Sequence, residues 1–417
     1  MHISKLVLHN FKLFHDKEIL FDPHLTIFAG KNGVGKSTIL YALSKLLSWP
    51  SRRIGSIRTN GIPLDKDRDI SYGKNDSRIS ISVSTNDKDF SWSLATASKG
   101  KPEQGRSDFN EVNEWCSRIQ TSLLTDEEHT NIPLFVFYPV DRAIIDIPLR
   151  IKGKHRFQGV NALDDNMLSQ SRFRVFFEWF RNQEDLENEK RIIDGIYRDK
   201  ALESVRNALS ILLPNYSGLS VRRSPLRMEM KKNNSIVRVD GLSDGEKCLI
   251  ALVGDLARRL SMANANLENP LAGQGIVLID EIDLHLHPAW QRNIVGKLQK
   301  AFPNCQFILS THSPQILGDV PSKNILLLAQ KGDDMELYHP MRSLGLSSSE
   351  AIDELMGSET GEILSQNGNI NQKLKEIYCL IDNENFSNAD KKLNDLRGET
   401  SDIPSVIKAE AYLESMR

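Results

Sequence analysis

The string Gly30-Lys31-Asn32-Gly33-Val34-Gly35-Lys36-Ser37-Thr38 fits G-x-x-x-x-G-K-[ST]. An apolar run, Leu25 to Ala29, precedes it, and Ile39, Leu40, Leu43, Leu46 and Leu47 follow at helical spacing. In a strand–loop–helix of this kind, consecutive backbone N–H groups can point at phosphates. The partial positive charge of the helix N-terminus adds to their pull. Lys36 would then reach the β- and γ-phosphates of ATP, and Ser37 would ligate Mg²⁺. The expected nucleotide-binding set is Gly30, Asn32, Gly33, Gly35, Lys36, Ser37 and Thr38. The alternative is a glycine-rich turn that only starts a helix.

Hydrolysis needs a metal ligand and a base as well. Ile276-Val277-Leu278-Ile279 is a continuous apolar run, as a central parallel strand requires, and it ends in Asp280-Glu281. Asp280 would hold Mg²⁺, directly or through water, and Glu281 would polarise the attacking water. Alone, such a pair is a solvated strand end; downstream of a phosphate loop it reads as catalytic. His285 and His287 follow, but no third ligand stands near them for zinc, and Pro288 reads as the first residue of a helix to Ala301. Phe307 to Leu309 reads as the next strand, and His312 comes just after it, placed to meet a γ-phosphate. Leu242-Ser243-Asp244-Gly245-Glu246-Lys247 opens an amphipathic helix. Ser243 and Glu246 form a capping box that any helix can carry. Gly245 is unfavourable in that first turn, and a phosphate approaching the backbone would explain it.

The elements that must position these groups alternate between strand and helix. Strands are expected at Ile3 to Leu8, Lys17 to Phe21, Ile79 to Ser84, Phe90 to Leu94 and Leu134 to Tyr138. Residues 51 to 77 read as loop, and residues 168 to 213 as two long helices with aromatics at 173 to 180. Strands return at Leu219 to Arg222, Arg227 to Lys231 and Ile236 to Val239, and a last one at Ile325 to Ala329. The fold class is α/β: a mostly parallel sheet with helices packed on it, a short helical insertion and a C-terminal helical segment. The expected division is 1–150 and 216–340 for the two halves of one head, 151–215 for the insertion and 341–417 for the tail. Tail helices are expected at 349 to 357, 371 to 382, 387 to 397 and 403 to 416, with Leu374, Ile377, Leu380, Ile381, Leu393, Leu396, Ile407, Tyr412 and Leu413 on buried faces.

Composition bounds the rest. The 417 residues carry a net charge of -2, so the whole molecule exerts no pull on nucleic acid, and such a contact needs a local basic patch. Arg150, Lys152, Lys154, His155 and Arg156 form one candidate, with a solvated loop as the alternative. Arg52, Arg53 and Arg58 are candidates for nucleotide or partner contact, while Arg222, Arg223, Arg227, Lys231 and Lys232 decorate strands. The four dispersed cysteines fit a reducing cytosol, and no run is long and apolar enough for a membrane helix. The expected location is cytoplasmic, without membrane partners.

Taken together in this order, the motifs resemble the ABC-type ATPase heads of the RecF, SMC and Rad50 class, over roughly residues 1 to 48 and 240 to 330. Leu8-His9-Asn10-Phe11-Lys12 is similar to the opening of those proteins. The resemblance implies that LSDGEK is the signature motif, that Ser243 and Gly245 touch the γ-phosphate held by an opposite head, that Asp283 lies in the D-loop and that His312 is the switch histidine. Longer strings are similar to the ATPase subunit of Septu and retron-linked anti-phage systems: Phe176-Phe177-Glu178-Trp179-Phe180, Asp255-Leu256-Ala257-Arg258-Arg259-Leu260 and His285-Leu286-His287-Pro288-Ala289-Trp290-Gln291-Arg292. That likeness implies a head-to-head dimer or higher oligomer and a separate HNH nuclease as partner, with no nuclease site in this chain. The insertion is too short for an SMC or Rad50 arm, and no Toprim nuclease is expected after His312. No Q-loop is legible, and Pro139-Val140-Asp141-Arg142 is the position to inspect. The alternative function is a RecF-like repair ATPase that clamps DNA or loads other proteins without a nuclease.

Overall fold

The apolar runs that end in functional residues become the middle of one sheet. The computed structural model describes all residues except 87, 101–104, 127–129, 141–158, 165–166, 168–172, 234, 333, 356–367, 384, 401–403 and 417. The chain opens with β1 (His2–Phe11), β2 (Phe14–Leu20), β3 (Leu25–Gly30) and α1 (Lys36–Gly55). Next come β4 (Asp76–Ser84), β5 (Phe90–Ala97), α2 (Asn110–Thr125) and β6 (Leu134–Tyr138). α3 (Phe173–Ile193) and α4 (Lys200–Leu212) follow, then β7 (Tyr216–Arg223), β8 (Leu226–Lys232) and β9 (Ser235–Arg238). Then come α5 (Asp244–Ala263), β10 (Gly275–Ile279), α6 (Pro288–Gln291), α7 (Ile294–Ala301), β11 (Cys305–Ser310), α8 (Pro314–Gly318), β12 (Ile325–Lys331) and β13 (Asp334–Tyr338).

The six-stranded sheet has the order β13-β12-β3-β11-β10-β6 and is parallel except at its β13 edge. Every residue of β3, β6, β10 and β11 is buried, as strands covered on both faces must be. β1, β2, β4 and β5 form a separate antiparallel sheet, and β7, β8 and β9 a third. Phe173, Phe176, Phe177, Trp179 and Phe180 of α3 are all buried, so the aromatic stretch is core. Phe176 lies so close to α5 that a β-carbon on Gly254 would come within 2.8 Å of its ring.

Three local expectations are corrected, and two elements join those the sequence predicts. Residues 51 to 55 are helix, not loop: α1 continues past Pro50, its last turn held by Arg53, whose guanidinium lies 4.7 Å from the Trp49 ring and 4.6 Å from the Phe109 ring. Arg53 is thereby a buried structural cation rather than a nucleotide contact. The single helix expected from Pro288 to Ala301 breaks into α6 and α7 at Asn293, which has φ 62° and whose amide donates to Asp319 Oδ2 at 2.8 Å. α2 had no counterpart in the sequence reading, because Val112 and Cys116 are the buried positions described in it and two do not make a periodic face. β13 had none either; it is a short edge strand of alternating polarity.

Residues Met1–Gly345 form one compact unit and Leu346–Arg417 a second. The second holds α9 (Ser348–Leu355), α10 (Gly368–Asp382), α11 (Phe386–Thr400) and α12 (Pro404–Met416). α10, α11 and α12 share a core of Leu374, Ile377, Ile381, Ala389, Leu393, Leu396, Val406, Ala409 and Leu413. On α12 the buried face is therefore Val406, Ala409 and Leu413; Ile407 and Tyr412, expected inside, are 50% and 37% exposed. No helix among the described residues is long and apolar enough to cross a membrane.

Candidate nucleotide site

The loop 31–35 leaves the sheet at the carboxyl end of β3, between β12 and β11, where open α/β sheets hold their ligands. Gly30, Gly33 and Gly35 have φ of 143°, 84° and 97°. At Gly30 a β-carbon would stand 2.4 Å from the Leu328 carbonyl oxygen of β12, so only glycine lets the loop pass so close to its neighbour. Lys36, the first residue of α1, is buried and folds back over the loop. Its Nζ donates to the carbonyls of Gly30 and Lys31, both at 2.8 Å. Burial lowers its pKa from the ordinary lysine value, against the opposing charges of Asp280, Glu281 and Asp283. Asn32, Gly33 and Ser37 are exposed and Thr38 half-buried at the same helix end. A buried ammonium at the N-terminus of a 20-residue helix, under a loop of left-handed glycines, suits a polyphosphate.

The acidic residues are placed by β10 and β11. The Asp280 amide donates to the Tyr138 carbonyl of β6 at 2.9 Å, and the Thr311 amide to the Phe28 carbonyl of β3 at 3.1 Å. Ser310 Oγ donates to Asp280 Oδ1 at 2.5 Å and accepts the Glu281 amide at 2.7 Å. Glu281 itself has φ 46°, a conformation that a non-glycine residue keeps only when its surroundings fix it. Asp283 Oδ1 accepts Thr311 Oγ1 at 2.6 Å and the His312 amide at 3.3 Å. The pKa of His312 lies below the usual histidine value. Burial is the main cause and the Lys36 charge adds to it, against Asp283, Glu281 and Asp280. Lys36, Asp280, Glu281, Asp283 and His312 thus share one electrostatic neighbourhood at one end of the sheet.

Ser243 and Gly245 stand elsewhere in their contacts. Ser243 is exposed and caps α5: its Oγ donates to Glu246 Oε2 at 2.8 Å, and its amide reaches the same oxygen at 2.9 Å. Glu246 also accepts from Tyr216 Oη and, at 3.0 Å, from Lys232 Nζ. Gly245 packs on the backbone of His285, beyond β10. Among the described residues, these contacts tie the LSDGEK turn to β7, β8 and the segment after Glu281, not to residues 30–38.

Residues 25–318 match the family model described as "AAA domain, putative AbiEii toxin, Type IV TA system". The chain is 32% identical over 390 residues to the Retron Ec83 probable ATPase of Escherichia coli, covering 79% of this chain and 71% of that one. It is 33% identical over 424 residues to the Retron Vc95 probable ATPase of Vibrio cholerae serotype O1 biovar El Tor, with 87% and 81% covered. It is also 26% identical over 437 residues to the Septu protein PtuA of Bacillus mycoides (strain KBAB4), covering 99% of this chain but 53% of that protein. The chain belongs to the AAA-domain family of that model, together with the retron ATPases.

In this retron-type ATPase the sequence motifs mark the ends of β3, β10 and β11 but not what fixes them. Ser310 and Thr311, whose hydroxyls hold Asp280, Glu281 and Asp283, had no role assigned. Their position at the end of an apolar strand was the available signal. His287 caps α6 by accepting the Ala289 amide at 3.2 Å. Among the described residues, no group of three or more His, Cys, Asp or Glu could hold a metal ion on its own. Arg222 and Arg227 pair with Glu229, Arg223 with Glu184 and Asp185, and Lys232 with Glu246, so these cations serve the strands they decorate. The basic run Arg150, Lys152, Lys154, His155 and Arg156 lies outside the described residues, as do Asp141 and Arg142 of the candidate Q-loop.

Proposed function

We propose that this chain binds Mg-ATP on residues 30–38 and hydrolyses it between two heads, each supplying its LSDGEK turn to the other's nucleotide. The carrying observation is the convergence of Lys36, Asp280, Glu281 and His312 at one sheet end, while Ser243 is exposed. Gly30, Asn32, Gly33, Gly35, Lys36, Ser37 and Thr38 would hold the phosphates. Asp280 and the Ser37 hydroxyl would hold Mg²⁺, which supplies the charge that steadies the β- and γ-oxygens. Glu281 is the proposed base and His312 the γ-phosphate contact. Kinship with the retron ATPases and PtuA supports a place in a defence complex, and the closing of two heads is the proposed control over a separate HNH-type nuclease.

Glu281→Gln tests this reading. The amide keeps the shape of the side chain and removes the base. The expected result is retained ATP binding, loss of turnover and accumulation of dimers with ATP on gel filtration. A variant that turns over ATP at the normal rate rules out Glu281 as the base.

A further inference from the structure

Tyr138 ends β6 and is 1% exposed. Its carbonyl accepts the Asp280 amide, and its Oη donates to Asp255 Oδ2 at 3.0 Å. Asp255 lies on α5, about three turns beyond Ser243. Its other partners are Arg258, with Nη2 at 2.7 Å and Nε at 3.2 Å from Oδ1, and Arg259, with Nε at 2.8 Å from Oδ2. Arg259 Nη1 continues to the carbonyls of Ala162 at 2.7 Å and Asp164 at 2.9 Å. Tyr138, Asp255, Arg258 and Arg259 are all more than nine-tenths buried.

Buried ion clusters add little stability over apolar side chains of the same size, so the fold alone does not require one here. Such a cluster does fix geometry, because every member loses a partner if one moves. Through Tyr138 it joins two parts that act on different nucleotides. The backbone end of the residue holds Asp280, which belongs to the chain's own site. The hydroxyl end holds the helix that carries the LSDGEK turn, which serves the opposite head.

We propose that Tyr138 is a positioning residue: its hydroxyl, seated on Asp255, locks α5 to the β6–β10 edge so that Asp280 and Ser243 of one chain move as one body. This rests on the proposed function for its consequence, which is that closure around one nucleotide is felt at the other. A helix behaves as a rigid lever, so a pin at Asp255 sets the aim of its N-terminus.

Tyr138→Phe tests the lock, since it removes one oxygen and leaves the ring, its burial and the arginine partners of Asp255 in place. Hydrogen exchange without nucleotide reads the lock directly. The expected result is exchange about tenfold faster at amides 243–250 and 280–282, with β1 and β2 unchanged. In ATP hydrolysis the expected result is a kcat about tenfold lower with KM for ATP within about twofold, the pattern of a misplaced catalytic group rather than a lost binding site. A purely structural tyrosine would lower the unfolding temperature and leave kcat where it was. Unchanged exchange at both segments, or an unchanged kcat, overturns the lock. A wild-type chain that hydrolyses no ATP overturns the proposed function instead, and the exchange result still decides the lock.

Discussion

A β-carbon on Gly245 would stand 2.5 Å from the carbonyl oxygen of His285. The glycine in the first turn of α5 is therefore explained within the chain, by the backbone beyond β10 lying against it, before any phosphate is invoked. The LSDGEK turn and the segment that follows Glu281 are packed as one surface.

Gly245→Ala is expected to destabilise the chain. In an unobstructed helix this change gains up to about 1 kcal/mol. Here the added carbon meets a backbone oxygen, and overpacking of that kind costs about 1–3 kcal/mol. Thermal unfolding should show a lower midpoint, while ATP binding measured by titration should persist and hydrolysis should fall. A raised midpoint would mean that the contact with His285 yields easily.

Ser310→Ala is expected to lower kcat about ten- to a hundredfold, with ATP affinity within about threefold. Its hydroxyl holds both the Asp280 carboxylate and the Glu281 amide, and Glu281 keeps a left-handed backbone beside it. Steady-state kinetics and titration of the purified variant provide the comparison. Wild-type turnover would show that the acidic pair is positioned without Ser310.

The pH dependence of stability should carry the signature of Glu246. Burial pushes its pKa up, but Tyr216, the Ser243 amide and hydroxyl, and Lys232 bring it down from 4.5 to about 2. A depressed carboxyl pKa stabilises the fold above the unfolded value, and that contribution is lost as pH falls through the folded value. Wild type should exceed Glu246→Gln in unfolding free energy by a constant amount above about pH 6, and by less than half of it at about pH 3. Denaturant unfolding across that range measures the gap, and a gap independent of pH would contradict the assignment.

The ends of the central strands were legible because a chemical motif and an apolar run coincided there: Gly30 to Thr38 after β3, Asp280-Glu281 after β10 and His312 after β11. The capping box of Ser243 and Glu246 was legible for the same local reason. What sequence could not show were partners far apart in the chain. Ser310 reaches back 30 residues to Asp280, and Tyr138 reaches 117 residues to Asp255. No spacing rule connects such positions; only the sheet order does. Residues 51–55 read as loop because the stretch from 51 to 77 is polar and rich in Arg, Asp and Gly, whereas the buried Arg53 and the Trp49–Phe109 stack hold α1 together past Pro50. On α12 a helical face was expected, but the apolar residues assigned to it lay on two different faces.

The C-terminal unit has a core of its own, so removing residues 346–417 should leave a chain that folds and binds ATP. We propose this unit as the docking site for the nuclease partner. Co-purification of the truncated chain with the proposed HNH-type nuclease is expected to fail, while ATP titration matches the full chain. Retention of the nuclease would place docking elsewhere.

Sites shared between two heads are the central claim, and mixing two inactive variants tests it most directly. Ser243→Arg leaves the loop 30–38 and Glu281 intact; Lys36→Ala leaves the LSDGEK turn intact. In a dimer of one chain of each, one composite site carries both defects and the other carries neither. The prediction is no hydrolysis by either variant alone and a partial return on mixing, up to about a quarter of the wild-type rate in an equal mixture of freely exchanging dimers. Continued absence of hydrolysis in a mixture shown to contain mixed dimers would contradict the shared site.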